Sequence, residues 1–179
     1  MTDLVLLAQL KRDEGLELEA YPDPLSPLGQ ACKRARLPMR RYRSVPGWEK
    51  LSGAPWTIGH GHTGPEVTRG LVWTPEKSEA QLVADMESHN ATLSRVLPWV
   101  DHLDAPRRRV LQNMHFNMGW DNPRTPKLEG LAGFTRTLAA VERGDYADAA
   151  ERMTQSLWYT QTGSRAKRLV ETMRDGVDR

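Results

Sequence analysis

Two carboxylates near the N-terminus could carry out acid–base chemistry. Glu14 precedes Gly15 at the end of a short amphipathic segment, and Asp23 follows an alternating stretch at residues 16–21. Cleavage of a glycosidic bond needs one protonated carboxyl group that helps the leaving oxygen depart and one carboxylate that acts on the other face of the sugar. Exposed carboxylates are common, so the spacing alone is weak support for this chemistry. The pair nevertheless sets the first hypothesis about the site.

A predicted helix places Glu14. In residues 4–10 apolar side chains recur at helical spacing, Thr2 or Asp3 can cap the start, and Gly15 can end the helix in a left-handed turn. Glu14 would then lie at the helix C-terminus, where the partial negative charge of the helix end disfavours an ionised carboxylate. This position suits a proton donor.

The hydrophobic pattern predicts an α+β fold. Residues 16–21 alternate between apolar and polar side chains, which indicates a half-exposed strand in a small N-terminal lobe with a short antiparallel sheet. From residue 74 onward, caps and apolar stripes predict a larger lobe of consecutive helices. These helices are predicted to begin near Thr74, Asp104, Phe134, Asp145 and Ser164, and the first three to end near His89, Gly119 and Gly144. We expect a single domain with an N-terminal lobe at residues 1–73 and an interlobe helix and helical lobe at 74–179.

Charge and composition limit the kinds of partner. The chain has 179 residues, enough to bury a proper core, and a modest formal net charge of +2. The segment at 24–55 carries seven basic residues against one acidic residue. That asymmetry indicates either an anionic partner near this segment or a solvated basic loop. Because no nucleic-acid-binding motif is present, we expect no nucleic-acid partner.

Cysteine usage and the N-terminal residues indicate the compartment. Cys32 is the only cysteine, so no internal disulfide can form and a reducing compartment is expected. Residues 4–8 are apolar, but charged residues at 11–14 interrupt them far short of a membrane span or a signal-peptide core. We therefore expect no export signal and no anchor.

Two histidines offer an alternative chemistry. On a strand His60 and His62 would face one side, and with Asp85 they could form a three-ligand metal site. No cysteine partner lies nearby, so a buried ion pair between a histidine and Asp85 is favoured over a metal. We expect no metal and no cofactor.

Several motifs together resemble one known family. They are Asp13-Glu14-Gly15-Leu16 with Leu18, Tyr21 and Asp23, then Thr57-Ile58-Gly59, Gly61-His62, Asn113-Met114-His115-Phe116-Asn117-Met118-Gly119, Ala132-Gly133-Phe134-Thr135, Ser156-Leu157-Trp158-Tyr159, Gln161-Thr162 and Arg165-Ala166-Lys167-Arg168. In this order they resemble the phage-type lysozymes of glycoside hydrolase family 24, in particular those of T-even phages. The resemblance covers some four fifths of the chain and implies a lysozyme-like fold with the glycan in a cleft between two lobes.

The resemblance also implies an activity and its catalytic residues. Members of this family hydrolyse peptidoglycan between N-acetylmuramic acid and N-acetylglucosamine and invert the anomeric centre. Glu14 falls on the general acid, Asp23 on the carboxylate that positions or activates water, and Thr57 on the hydroxyl that helps hold that water. An inverting enzyme must leave room for a water between the sugar and the base.

Further positions follow from the same resemblance. Gly59 and Gly61 would let the backbone pass close to the sugar. Asn117, Thr162 and Arg165 are candidates for substrate contacts or for setting the electrostatics around Glu14. The positions corresponding to His62 and Asp85 form an ion pair in the family, in agreement with the structural interpretation above.

The chain departs from the family pattern at one place. The family leaves only a few residues between the second carboxylate and the threonine, whereas residues 24–56 intervene here. The Thr-Ile-Gly motif still assigns Thr57, but its distance from Asp23 is open and Ser26 is an alternative. We expect the insertion to form a loop with one helix, and we hypothesise that Arg40, Arg41 and Arg43 help it to grip the glycan, stem peptides or anionic lipid.

Two other functions are alternatives to hydrolysis, and the resemblance also implies a cellular setting. A lytic transglycosylase cleaves the same bond with a single glutamate, and a wall-binding module would need no catalysis; Asp23 and Thr57 favour hydrolysis over both. By resemblance, the protein would be a monomeric endolysin that remains in the host cytoplasm until a holin opens the inner membrane. It would then act on the cell wall from the periplasm.

Overall fold

The chain divides into two compact units. A computed structural model describes residues 2–121 and 128–179, and its units comprise residues 1–85 and 86–179. The first unit contains helix α1 (Leu4–Glu14), strand β1 (Glu17–Pro22), helix α2 (Pro27–Arg34), strands β2 (Trp56–Gly59) and β3 (His62–Thr63), and the start of helix α3 (Pro75–Val96). The second contains the end of α3 and helices α4 (Ala105–Met118), α5 (Thr135–Glu142), α6 (Tyr146–Thr154), α7 (Leu157–Thr162) and α8 (Ser164–Asp175). The predicted α+β fold is confirmed, and the boundary between the two compact units falls inside α3. The single domain with lobes at residues 1–73 and 74–179 stays a prediction.

Helix α1 begins and ends where the sequence predicts. The Asp3 side chain caps it by accepting hydrogen bonds from the backbone N–H groups of Val5 and Leu6, each at 3.1 Å. Gly15 follows the last helical residue with φ 72° and ψ −166°. The positive φ agrees with the prediction, but this ψ is extended and not left-handed helical. The chain therefore turns directly from Glu14 into β1.

The small sheet has three antiparallel strands in the order β1-β2-β3. Tyr21 pairs with Thr57, and Thr57 in turn pairs with Thr63. The register between β1 and β2 shifts between Glu17 and Tyr21. Side chains of directly paired residues lie on the same face, so the sheet brings residues from three separate segments together.

The insertion at 24–56 supplies much of the core of the first unit. It forms one α-helix, α2, as predicted, and two 3₁₀ helices, Met39–Ser44 and Trp48–Lys50. The buried residues of this core come from the insertion, from the sheet and from the segment after β3, and they are Ala20, Leu28, Ala31, Cys32, Tyr42, Val45, Trp56, Ile58 and Val67. Because these side chains pack together, the insertion is a structural part of the unit and not only a surface loop.

The second unit packs its helices around a core of its own. Asp104 and Asp145 cap α4 and α6 as predicted, and α4 contributes Leu111 and Met114, both fully buried. Helix α3 runs to Val96, about two turns beyond the predicted end. Helix α7 was not predicted, because its six residues are too few to show a period. Among the described residues, no helix combines the length and apolar character that crossing a membrane requires.

Candidate active site

Glu14 lies beside the turn that connects β2 and β3. A Cβ atom added to Gly61 would lie 3.6 Å from Glu14 Oε2, so the backbone of this turn faces the carboxyl group. Gly61 has φ 88°, a conformation that glycine adopts readily. The neighbouring His60 ring contacts the peptide that follows the acid, since its Nδ1 is hydrogen-bonded to the carbonyl oxygen of Gly15. The turn therefore contacts both the side chain and the backbone of the acid segment.

Asp23 follows β1 directly and is held by its own backbone. Its N–H donates to the carbonyl oxygens of Gly53 and Pro55, both at 3.0 Å. Its carboxylate oxygen Oδ1 accepts from the N–H of Leu25 at 2.6 Å, which forms an Asx turn. These bonds fix the residue at the start of the insertion and orient its side chain.

Helix α2 lies immediately behind Asp23. A Cβ added to Gly29 would overlap the carbonyl oxygen of Asp23 and lie 2.9 Å from its carbonyl carbon. Only glycine allows α2 to approach this closely. Gly29 is therefore a site residue that sequence reasoning missed, because a close backbone approach leaves no trace in spacing or composition.

Strand pairing brings Thr57 to Asp23 despite the insertion. Pro22 pairs with Trp56, and Tyr21 with Thr57, so the insertion leaves one strand and returns on the next at directly paired positions. Asp23 follows β1 directly, and its N–H donates to the carbonyl oxygen of Pro55, two residues before Thr57. The long sequence separation therefore does not separate these residues in space.

The Ser26 side chain, the alternative to Thr57, has a structural role in the first unit. Its hydroxyl donates to the carbonyl oxygen of Asp23 at 2.7 Å and accepts from the N–H of Gly29 at 3.0 Å. The Ser26 side chain is thus the N-cap of α2 and is buried. Because its one proton is already donated, Ser26 could contact a water near Asp23 only as an acceptor, through its remaining lone pair.

Tyr21 connects the acid to the threonine and was not predicted as a site residue. Burial raises the pKa of its hydroxyl, the negative charges of Glu17 and Glu14 raise it further, and a hydrogen bond with the Thr57 side chain opposes them. The hydroxyl is therefore neutral at pH 7. Its closeness to Thr57 could have been suspected only from the strand register.

His62 is held between two carboxylates. Its Nδ1 lies 2.7 Å from Asp85 Oδ2, which brings together the predicted ion pair, and its Nε2 lies 2.6 Å from Glu66 Oε1. Burial lowers the pKa of His62, but hydrogen bonds to Glu66 and Asp85, with their negative charges, outweigh it, so the pKa is raised. Glu66 is a partner that sequence reasoning missed. His60 lies in the turn and not on a strand, and its Nδ1 contacts the carbonyl of Gly15 instead of converging with His62.

Gly59 is needed for packing within the first unit, which is a different role from the predicted contact with the sugar. A Cβ added there would lie 3.2 Å from the Trp73 ring and 3.5 Å from Ser78 Cβ. The space that a side chain would need is thus already filled by the first unit's own side chains. Substrate contact by Gly59 and Gly61 stays a prediction.

Three predicted substrate-binding residues lie in the second unit. Asn117, near the end of α4, is exposed and accepts a hydrogen bond from Trp158 Nε1 at 3.1 Å. Thr162 is the last residue of α7 and is partly exposed. Arg165 is only 7% exposed, and its Nε donates to Asn113 Oδ1 at 2.8 Å. Their roles toward substrate stay predictions.

Two arginines of the insertion are used within the first unit. Arg40 pairs with Glu17 at 3.2 Å, and Arg43 pairs with Glu19 at 2.7 Å. Both carboxylates belong to β1. These ion pairs fasten the insertion to the sheet, which reduces the charge that Arg40 and Arg43 offer to an anionic partner.

The fold and these residues define a class of protein. A glutamate at a helix end, an aspartate directly after β1 and a threonine on β2 are residue types from which a glycoside hydrolase can take its proton donor and its water-binding groups, and their roles here stay predictions. A family model described as phage lysozyme matches residues 41–174. The chain belongs to the phage lysozyme family.

Similarity to individual proteins extends beyond the range of the family model, which begins after Glu14 and Asp23. The chain is 29% identical over 176 residues to the pre-baseplate central spike protein Gp5 of Enterobacteria phage T4, an alignment that covers 94% of this chain and 27% of the spike protein. It is 28% identical over 176 residues to probable T4-type lysozyme 1 of Dictyostelium discoideum, covering 94% of this chain and 92% of that protein. It is also 28% identical over 117 residues to the SAR-endolysin of Enterobacteria phage P21, covering 64% and 62%. The chain thus spans about a quarter of the spike protein and nearly all of the Dictyostelium lysozyme.

Proposed function

We propose that the protein hydrolyses the β-1,4 bond between N-acetylmuramic acid and N-acetylglucosamine in bacterial peptidoglycan. Membership of the phage lysozyme family supports this activity. The observation that carries the assignment to specific residues is the pairing of Tyr21 with Thr57, which places the threonine beside the end of β1, where Asp23 follows. Without that pairing, the insertion would leave Asp23 without a second group to hold water.

In the proposed reaction Glu14 donates its proton to the glycosidic oxygen as the bond to the anomeric carbon breaks. Asp23 accepts a proton from a water molecule that attacks the anomeric carbon from the opposite face, and the Thr57 hydroxyl holds that water. The leaving sugar keeps the proton from Glu14, and the new anomeric hydroxyl comes from the water. Attack from the opposite face inverts the configuration.

A lytic transglycosylase is the second candidate. There the C6 hydroxyl of the muramic acid residue attacks the anomeric carbon in place of water and leaves a 1,6-anhydro sugar. That reaction requires no group that holds water. The Asx turn that orients the Asp23 carboxylate, and the hydrogen bond between Tyr21 and Thr57, support hydrolysis instead.

The products distinguish these functions. We would digest purified peptidoglycan with the wild-type protein and with Glu14→Gln, and identify the released ends by mass spectrometry. Reducing N-acetylmuramic acid ends that disappear in Glu14→Gln would support a muramidase with Glu14 as its acid. Anhydro ends would indicate a transglycosylase, and binding without release by the wild-type protein would indicate a wall-binding module.

We further propose that the activity serves host cell lysis. The similarity to a phage endolysin supports this setting. In the proposal a monomeric enzyme reaches the wall from the host cytoplasm through a holin-made opening. Expression in a bacterial host with and without a co-expressed holin tests it. Lysis only with the holin supports the proposal, and lysis without it contradicts the requirement for a holin.

A further inference from the structure

His60 makes a contact that the proposed mechanism does not use. It lies in the turn between β2 and β3, it is 9% exposed, and its Nδ1 is hydrogen-bonded to the carbonyl oxygen of Gly15. The carbonyl can only accept, so the ring must carry its proton on Nδ1. The contact joins residues that are far apart in sequence and ends on the peptide next to the acid.

Gly15 itself does little to fix its own backbone. Gly15 has no side chain, its φ is 72°, and an added Cβ would meet no atom within 4 Å. The carbonyl groups at a helix C-terminus lack partners within the helix, and glycine restricts its own backbone less than any other residue. A donor that fixes the Gly15 carbonyl therefore restrains the backbone on which Glu14 is carried.

The same turn also lies next to the Glu14 carboxyl group, at Gly61. We propose that His60 is a positioning residue, which holds the Glu14 segment against this turn through its Nδ1–H and so keeps the carboxyl group where it can protonate the leaving oxygen. This inference rests on the proposed function for its catalytic consequence. The hydrogen bond itself does not depend on that function.

Three substitutions separate the hydrogen bond from the bulk of the ring. The amide nitrogen of asparagine can take the place of histidine Nδ1, whereas the amide nitrogen of glutamine takes the place of Nε2, so His60→Asn restores the donor and His60→Gln misplaces it. His60→Phe keeps a ring without any donor. We expect kcat on purified peptidoglycan to fall about ten-fold or more in His60→Gln and His60→Phe, because a small displacement of a reacting group can cost up to about a hundred-fold. In His60→Asn we expect kcat within about three-fold of the wild type, with KM nearly constant in all three.

Either of two kinetic results would overturn the inference: wild-type kcat in His60→Gln, or equal losses in His60→Asn and His60→Gln. A change confined to KM would overturn it as well, since a positioned acid acts on the chemical step. If the wild-type protein cleaves no peptidoglycan, the proposed function fails and the inference is judged by long-range ¹H–¹⁵N NMR. A proton on His60 Nδ1 supports the contact, and a ring protonated on Nε2 alone overturns it.

Discussion

Tyr21 shows how a single hydroxyl can couple the groups of the site. It is hydrogen-bonded with the Thr57 side chain and lies close enough to Glu14 for that charge to raise its pKa. Loss of the hydroxyl would leave Thr57 free to rotate and would remove a polar neighbour of the acid. The ring would remain to fill its place beside the sheet.

We predict that Tyr21→Phe lowers kcat on peptidoglycan about five-fold, since one orienting hydrogen bond contributes about 1 kcal/mol and about 1.4 kcal/mol corresponds to a factor of ten. Steady-state turbidity assays would measure it. Tyr42→Phe is the matched control, because its hydroxyl bonds to Glu19 at 3.3 Å in the core of the same unit. Equal activity in the two variants would contradict a role of Tyr21 in the site.

Helix α2 is the element on which the position of Asp23 depends. Its glycine at position 29 is in contact with the Asp23 carbonyl group, and Ser26 caps the helix while donating to the same carbonyl. The aspartate therefore cannot move without α2, and α2 cannot move toward the sheet without displacing the aspartate.

We predict that Gly29→Ala lowers activity about a hundred-fold, because the added methyl group overlaps the Asp23 carbonyl group and must displace Asp23. The control is Ala31→Gly, which destabilises the same helix by about 1 kcal/mol of helix propensity without touching Asp23. A thermal unfolding experiment would first show that both variants are folded at the assay temperature. Their activities on peptidoglycan would then be compared. A loss in Ala31→Gly as large as that in Gly29→Ala would mean that helix stability, not the contact, sets the activity.

The insertion combines a structural and a surface role. Arg40 and Arg43 pair with β1, whereas Arg34 and Arg41 are exposed and make no ion pair within the described residues. A partner with negative charge would therefore meet Arg34 and Arg41 more readily than the paired arginines. The hypothesis drawn from the sequence named Arg40, Arg41 and Arg43. The ion pairs favour Arg41 among these three and add Arg34 as a second candidate.

We predict that the double substitution of Arg34 and Arg41 by glutamine weakens binding to purified cell walls about three-fold or more at about 0.1 M salt and flattens its salt dependence. The matched double substitution of Arg40 and Arg43 removes the same charge and should act mainly on stability, by about 1 kcal/mol or less per pair. Cosedimentation over a salt series measures the binding. Equal weakening by both doubles, or by neither, would contradict the assignment.

At the scale of the whole molecule, the sequence was most informative where local signals decide the structure. The helical spacing of apolar residues and the Asp N-caps were sufficient to predict α1, α4 and α6. These signals are local and need no tertiary information. The Thr-Ile-Gly motif located Thr57 despite the insertion. The family resemblance, not the spacing of the carboxylates, carried the prediction of the activity.

Tertiary contacts explain what the sequence could not predict. The insertion is rich in proline and arginine and is typical of a solvated loop, yet its Tyr42 and Trp56 are buried in the core of the first unit. The close approach at Gly29 and the hydrogen bond of His60 depend on the packing of distant segments. Neither leaves a periodic signal.

The core of the second unit makes stability depend on pH. His115 is 2% exposed, and burial, together with the charge of His89, lowers its pKa to about 4 from 6.5. Between these values the unfolded chain binds a proton that the folded chain does not, so the free energy of unfolding falls as the pH falls from about 6.5 to about 4. A difference of about 2.5 units corresponds to about 3 kcal/mol.

We predict that His115→Phe reduces the loss of unfolding free energy between pH 7 and pH 4 by about 3 kcal/mol relative to the wild type. Urea denaturation at a series of pH values measures it. His102→Gln, at an exposed histidine, should leave the loss unchanged. An identical pH dependence in His115→Phe and the wild type would contradict the burial of a neutral imidazole.

The most direct test of the account is the configuration of the first product. ¹H NMR of peptidoglycan fragments, recorded immediately after addition of the enzyme and before mutarotation, reports which anomer of reducing N-acetylmuramic acid appears first. Attack by a water held between Asp23 and Thr57 predicts the α anomer. Initial formation of the β anomer or of an anhydro sugar would contradict the assignment of Asp23 and Thr57 as the groups that position the water.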